Sequence, residues 1–133
     1  MKHKPEVLIV EDTKHWQEIF VEIMISQGFQ VEIASSYLDA KQVLQRNSFE
    51  MAIIDIRLSE GDSFNIGGMK LLEDIRNVPG NTTNVVIVSG YATVELVRDA
   101  FKKFNVVDFI EKNTFEEVQF VELIRDIQKL RNN

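Results

Sequence analysis

Short, wholly apolar runs alternate along the chain with longer segments in which apolar residues recur every three or four positions. Val7-Leu8-Ile9-Val10, Met51-Ala52-Ile53-Ile54 and Val85-Val86-Ile87-Val88 are such runs, and Val31 to Ala34 and Val106 to Ile110 are weaker ones. Runs this short and this apolar predict strands buried on both faces, as in parallel sheets. Between them, Thr13 to Gln27 carries Trp16, Ile19, Phe20, Ile23 and Met24 on one helical face and stops at Gly28. Ser36 to Asn47 repeats the pattern with Leu38, Val43 and Leu44. Gly68 to Asn77 does so with Met69, Leu71, Leu72 and Ile75, and Ala92 to Phe104 with Leu96, Val97, Ala100 and Phe104. Thr114 to Arg131 opens on a Thr-x-x-Glu capping box, Thr114 to Glu117, and carries a core stripe of Phe120, Leu123, Ile124, Ile127 and Leu130. The pattern is β-α five times over, and right-handed crossovers then predict an α/β fold: a five-stranded parallel sheet with helices on both faces.

Composition narrows the class. The 133 residues suit one domain, residues 1–133, with no effector domain in the chain. At 44% hydrophobic and 27% charged it is globular rather than disordered. No apolar run approaches the ~18 residues of a membrane span, and Met1 to Pro5 is followed by no secretory apolar region. Cysteine is absent, which excludes disulfides and thiolate metal sites and fits a cytoplasmic location. The net charge of −6 repels phosphate backbones, so direct nucleic-acid binding is not expected.

The chemistry collects where the apolar runs end. In an open parallel sheet, ligands bind beyond the carboxyl ends of the strands, at the switch in strand order. Glu11 and Asp12 follow the first run, Asp55 the third, Ser89 the fourth and Lys112 the fifth. Singly, each has an ordinary reading: a helix-capping acid, a loop acid, a turn hydroxyl, a solvated charge. Together at one sheet edge they read as a site. Two unit charges ~4 Å apart repel by roughly 4 kcal/mol at an effective dielectric near 20, so crowded carboxylates call for a raised pKa or a bound cation. An all-oxygen donor set suits Mg²⁺. A carboxylate can also act as a nucleophile and form an aspartyl phosphate, whose oxygens then need a metal and a cation. Lys112 and Mg²⁺ would supply those, and Ser89 a hydrogen bond. His3 and His15 have no ligand partners at suitable spacing and read as surface residues, and Trp16 reads as core.

Val7-Leu8-Ile9-Val10-Glu11-Asp12, Ile53-Ile54-Asp55, Gly68-Met69-Lys70-Leu71-Leu72, Val86-Ile87-Val88-Ser89-Gly90 and Asp108-Phe109-Ile110-Glu111-Lys112 stand in that order. With these pieces the chain resembles the receiver domain of two-component response regulators, over nearly its whole length. The resemblance implies the flavodoxin-like, CheY-like (βα)5 fold with strand order 2-1-3-4-5. It implies that Asp55 accepts a phosphoryl group from a phosphohistidine, and that Glu11, Asp12, Asp55 and the Arg57 backbone carbonyl hold Mg²⁺. Lys112 would bind the phosphoryl group, and Ser89 and Phe109 would form the switch pair. The protein would then be a signalling phosphoacceptor rather than an enzyme, with only self-catalysed phosphotransfer and dephosphorylation. Its donor would be a sensor histidine kinase or a histidine phosphotransfer protein, docking on the first helix, where Lys14, Val21 and Ile25 lie opposite the core face. Val118 on the last helix marks an output or homodimer contact on the face made by the fourth helix, fifth strand and fifth helix.

The chain departs from the family pattern in three places. Asn113 follows the lysine where the family has proline, Leu58-Ser59 stands in place of Met-Pro, and Gly68 lies thirteen positions past Asp55 rather than the usual eight, an insertion within Ser59 to Gly67. The peptide after the lysine is typically cis in the family. With asparagine the cis form costs about 3–4 kcal/mol; the expectation is nevertheless a cis Lys112–Asn113 bond with the ammonium aimed at Asp55. Two alternatives share parts of this chemistry. A haloacid-dehalogenase-like phosphatase would want Asp-x-Asp after the first strand, where Glu11-Asp12-Thr13 stands. A degenerate receiver would act as a binding module only. A flavodoxin-like cofactor binder is disfavoured because Glu11 and Asp12 would repel a phosphate.

Overall fold

The computed structural model describes residues 4–57 and 67–131. In chain order the elements are β1 (Glu6–Val10), α1 (Lys14–Ser26), β2 (Gln30–Ala34), α2 (Tyr37–Arg46), β3 (Met51–Ile54), α3 (Gly67–Arg76), β4 (Asn84–Ser89), α4 (Val94–Phe104), β5 (Asp108–Glu111), a 3-10 turn (Lys112–Thr114) and α5 (Glu117–Arg131). The strands form one sheet in the order β2-β1-β3-β4-β5, and every pairing is parallel. The apolar runs are explained by burial on both faces. Leu8, Val10, Ala52, Ile54, Val85 and Ile87 pack against residues of α2, α3 and α4 on one side, such as Ala40, Leu72 and Ala100. Val7, Ile9, Met51, Ile53, Val86 and Val88 pack against residues of α1 and α5 on the other, such as Phe20, Met24, Phe120 and Ile124. Adjacent residues of a strand point to opposite faces, so each run must be apolar throughout.

Local signals set the helix ends. The Ser36 hydroxyl accepts the Asp39 N–H at 3.1 Å and caps α2, and the Thr93 hydroxyl accepts the Leu96 N–H at 3.1 Å and caps α4 two residues later than the sequence pattern predicts. Beyond α1, Gly28 adopts a φ of +92°, a conformation that glycine takes without strain.

Four expectations are corrected. No peptide bond among the described residues is cis, so Lys112–Asn113 is trans. Proline disfavours helical geometry in the residue before it. Asparagine lifts that restriction, and Lys112 can open the 3-10 turn that its carbonyl closes with the Phe115 N–H at 3.2 Å. The same turn consumes the expected capping box: the Thr114 hydroxyl donates to the Glu111 carbonyl at 3.3 Å, and α5 starts only at Glu117. Leu130 is not core but 78% exposed, because Ile127 is the last buried residue of α5. Leu38 is likewise exposed, since α2 buries Ala40 and Val43 and half-buries Tyr37 and Leu44. The insertion in Ser59 to Gly67 lies outside the described residues except for Gly67, the first residue of α3.

One side chain joins the opposite end of the sheet. The Arg76 guanidinium donates from Nε to the Phe104 carbonyl (2.6 Å) and from Nη1 to the Thr83 carbonyl (2.9 Å) and Asn81 Oδ1 (3.1 Å), tying the ends of α3 and α4 to the start of β4. Hydrogen bonds to a charged group contribute roughly 1.5–3 kcal/mol each, but their loss is not additive. Arg76→Ala is expected to lower stability by about 2–3 kcal/mol, read as a drop in the urea midpoint at unchanged slope. Arg76→Lys is expected to restore less than half of it, since an ammonium cannot reach several carbonyls in one plane.

Candidate functional site

The register of the sheet brings the strand ends together. Val10 pairs with Ile54, so Glu11 and Asp55 are the next residues of neighbouring strands. Ser89 pairs with Glu111 at the ends of β4 and β5, so Lys112 is the next residue there. The chain leaves β1 for β2 on one side and returns for β3 on the other, which makes the β1–β3 boundary the switch point where such sheets bind ligands.

The geometry there is a buried ion triplet. The Lys112 ammonium lies 2.7 Å from Glu11 Oε1 and 2.9 Å from Asp55 Oδ2, while Glu11 is 1% exposed and Asp55 6%. Glu11 Oε2 accepts the Thr13 N–H at 2.9 Å, and Asp55 Oδ1 accepts the Arg57 N–H at 3.2 Å. Asp12 is half-buried, and Glu11, Asp12 and Asp55 each offer a carboxylate oxygen within 4.8 Å of the others. Burial pushes the Glu11 carboxyl up to about 7, against the hydrogen bond from Lys112, and the charge of Asp55 adds to the rise. Burial opposes the Lys112 ammonium, yet the two carboxylates outweigh it and hold its pKa above the ordinary lysine value.

This donor set fits a hard divalent cation. It is all oxygen, and three carboxylates there share the single Lys112 ammonium, which contacts two of them. Glu11, Asp12 and Asp55 would hold the ion. Behind Asp55, α3 approaches closely: a Cβ on Gly68 would stand 2.2 Å from the Asp55 carbonyl oxygen and 2.6 Å from the Ile56 Cα, so only glycine fits.

Ser89 is fully buried, and its hydroxyl accepts the Tyr91 N–H at 3.1 Å. Phe109 is half-buried against the core on the α2–α4 side. Among the partner-surface residues, Lys14 is exposed, Ile25 is 59% exposed and Val118 70% exposed. Val21 is the exception: it is half-buried and packs against the α1–α5 core, because α1 turns that position toward the edge of the sheet beside Ile33. Three side chains at the site were not singled out for it by sequence reasoning. Trp16 places its ring 5.3 Å from the Lys112 ammonium. Gln17 donates to the Glu11 carbonyl at 2.6 Å and to the Ser35 hydroxyl at 3.1 Å. The Arg57 guanidinium stacks on Tyr91, 3.5 Å from the ring centroid. Each becomes visible only when a helix or loop is laid over the sheet edge; no spacing along the chain signals it.

The chain matches the model of a family described as the response regulator receiver domain over residues 7–125. It is 28% identical over 107 residues to a putative response regulator NtrX-like of Rickettsia bellii, covering 80% of this chain and 21% of that protein. It is 30% identical over 106 residues to the alginate biosynthesis transcriptional regulatory protein AlgB of Pseudomonas aeruginosa, covering 80% and 22%. The photosynthetic apparatus regulatory protein RegA of Rhodobacter capsulatus is 26% identical over 106 residues, covering 80% and 54%. The chain thus spans about a fifth of the length of the first two of these relatives. Among solved structures, a CheY-like response regulator receiver domain protein from Methanospirillum hungatei superposes with a TM-score of 0.82 at 23% identity, covering 98% of both chains. A signal receiver domain of an HD domain-containing protein from Pseudomonas fluorescens does so with a TM-score of 0.81 at 17% identity, again covering 98% of both. At these identities the structural likeness speaks for the fold.

The Glu11 shift has a consequence for the metal-free protein. Its carboxyl titrates near 7 when folded against an ordinary 4.5, so the fold binds that proton more tightly than the unfolded chain does. The resulting stabilisation is complete below about pH 4.5 and is lost as pH rises through 7. It amounts to something on the order of 3 kcal/mol. In EDTA, Glu11→Gln is therefore expected to gain stability relative to the wild type between pH 5 and pH 8. A stability difference that stays flat over that range would show an ordinary carboxyl.

Proposed function

This chain belongs to the response regulator receiver domain family of two-component signalling, and we propose that Asp55 is its phosphoacceptor and that Mg²⁺ is the ion its carboxylates hold. The observation that carries the reading is the Lys112 ammonium lying between the buried Asp55 and Glu11 carboxylates, with Asp12 beside them. In the transfer, an Asp55 carboxylate oxygen attacks the phosphorus of a phosphohistidine. The O–P bond forms as the P–N bond breaks, and the electron pair leaves with the imidazole nitrogen. Mg²⁺, when bound, neutralises charge on the phosphoryl oxygens. Lys112 exchanges its contact with the carboxylate for one with a phosphoryl oxygen and stays within reach throughout. The Ser89 hydroxyl turns from the Tyr91 N–H to donate to another phosphoryl oxygen, and Phe109 turns further inward behind it.

The donor would be a sensor histidine kinase or a histidine phosphotransfer protein, received on α1 around Lys14 and Ile25. The α4–β5–α5 face, where Phe101, Val107 and Val118 are exposed, would take an output partner or a second copy. Isolated apolar side chains are common on protein surfaces. That reading therefore stands on the family, not on exposure alone.

Incubation with acetyl phosphate and Mg²⁺, followed by intact mass, is expected to add one phosphoryl group to the wild type and none to Asp55→Asn, whose amide is a poor nucleophile. Asp12→Ala is expected to weaken Mg²⁺ binding by about tenfold or more, read by titration of Trp16 fluorescence. Labelling of Asp55→Asn at the wild-type level would place the acceptor elsewhere.

A further inference from the structure

Of the three acids at the site, Asp12 is the one least held by its own side chain. Glu11 and Asp55 each take the Lys112 ammonium and one backbone N–H. Asp12 is half-buried, and the hydrogen bond its carboxylate accepts, from the Thr13 hydroxyl, is long at 3.5 Å. A contact of that length holds a carboxylate weakly. The direction of Asp12 is therefore set by the backbone that carries it, beginning with the peptide that joins it to Glu11.

That peptide is anchored from α1. The Glu11 N–H donates to the Ala34 carbonyl at 3.0 Å, continuing the ladder between β1 and β2. The Glu11 carbonyl lies past the last paired residues of those strands, Val10 and Ala34, and takes its donor from a side chain, Gln17 Nε2 at 2.6 Å. The same amide donates to the hydroxyl of Ser35, the residue after β2, at 3.1 Å. A primary amide has two N–H donors, and here they tie the ends of two neighbouring strands to one helix. Gln17 is itself fixed, because its backbone N–H donates to the Thr13 carbonyl at 3.0 Å and closes the first turn of α1. The turn that carries Asp12 is thus held at Glu11 on one side and at Thr13 on the other by a single residue. The amide is uncharged, so it leaves the balance of charge at the site unaltered and acts on it through geometry alone.

We propose that Gln17 is a positioning residue for the metal site: by fixing the Glu11–Asp12 peptide it aims the Asp12 carboxylate at the ion that Asp12 shares with Glu11 and Asp55. The proposal rests on the reading of these carboxylates as a Mg²⁺ site. Mg²⁺ demands near-ideal octahedral geometry, and groups that orient a ligand matter to affinity nearly as much as the ligand does. Glu11 and Asp55 keep their own contacts when Gln17 is removed, so the effect falls on Asp12.

A double-mutant cycle on Mg²⁺ affinity, followed by amide NMR shifts of the full chain, tests this. Gln17→Met keeps the length of the side chain and removes both donors. It is expected to bind Mg²⁺ about tenfold more weakly than the wild type. In the Asp12→Ala background the same substitution is expected to cost less than about twofold, because the group that Gln17 aims is already gone. Wild-type Mg²⁺ affinity in Gln17→Met would overturn the proposal. An equal loss with and without Asp12 would also overturn it, since that marks a general loosening of the site rather than the aiming of one ligand. A wild type that binds no Mg²⁺ would instead overturn the metal reading on which the proposal rests.

Discussion

Two buried carboxylates held by one ammonium are the constraint on which the rest of the site depends. An ionised carboxylate out of water is costly unless it is paired and hydrogen-bonded. Glu11 and Asp55 share Lys112, and each takes one further backbone N–H, from Thr13 and Arg57. That arrangement still leaves Glu11 titrating near 7, so the pairing is incomplete in the resting protein. An additional cation would complete it. A site with one cation too few is a poor stabiliser and a good receptor for a divalent ion.

The fold meets this constraint by bringing three strand ends into register. Both faces of β1, β3 and β4 are packed, and neither strand can slip without turning buried residues outward. Behind Asp55, α3 comes so close that Gly68 has no room for a side chain, which holds the backbone between Asp55 and Ile56 in place. In front of it, the 3-10 turn returns the chain toward α5 immediately after Lys112 while leaving the lysine side chain in the site.

The parts legible in the sequence were those with a local code. Four-residue apolar runs ending in an acid, a serine or a lysine identify strands and the edge where they finish. Helical periodicity identifies what covers them. Misreadings arose where two codes overlapped. Thr114-x-x-Glu117 reads as a capping box, but the residues before it needed a turn to keep Lys112 in place, and the turn used Thr114. The family's cis bond was carried over to a chain whose Asn113 removes the reason for it. Leu38, Leu130 and Val21 were misassigned because a helical wheel says which residues share a face but not how far the sheet extends beneath it. Arg76 and the Arg57–Tyr91 stack were invisible for another reason: they join positions distant in sequence through side chains of no special local pattern.

Two contact chains leave the site, and they lead to different surfaces. One begins at Lys112, which stands 5.3 Å from the ring of Trp16. Trp16 packs on Phe20 and Phe115, and both of these rings pack on Phe120 of α5. The ammonium is thus connected by ring contacts to the face covered by α1 and α5. The other begins at Ser89, whose hydroxyl holds the Tyr91 backbone at the entrance to α4. The first chain is a set of close-packed rings, which resist displacement because any gap forfeits contact energy on every side. The second is a single hydrogen bond and one cation–π stack, each of modest strength. The entrance to α4 is therefore joined to the site by fewer and weaker contacts than the α1–α5 face is.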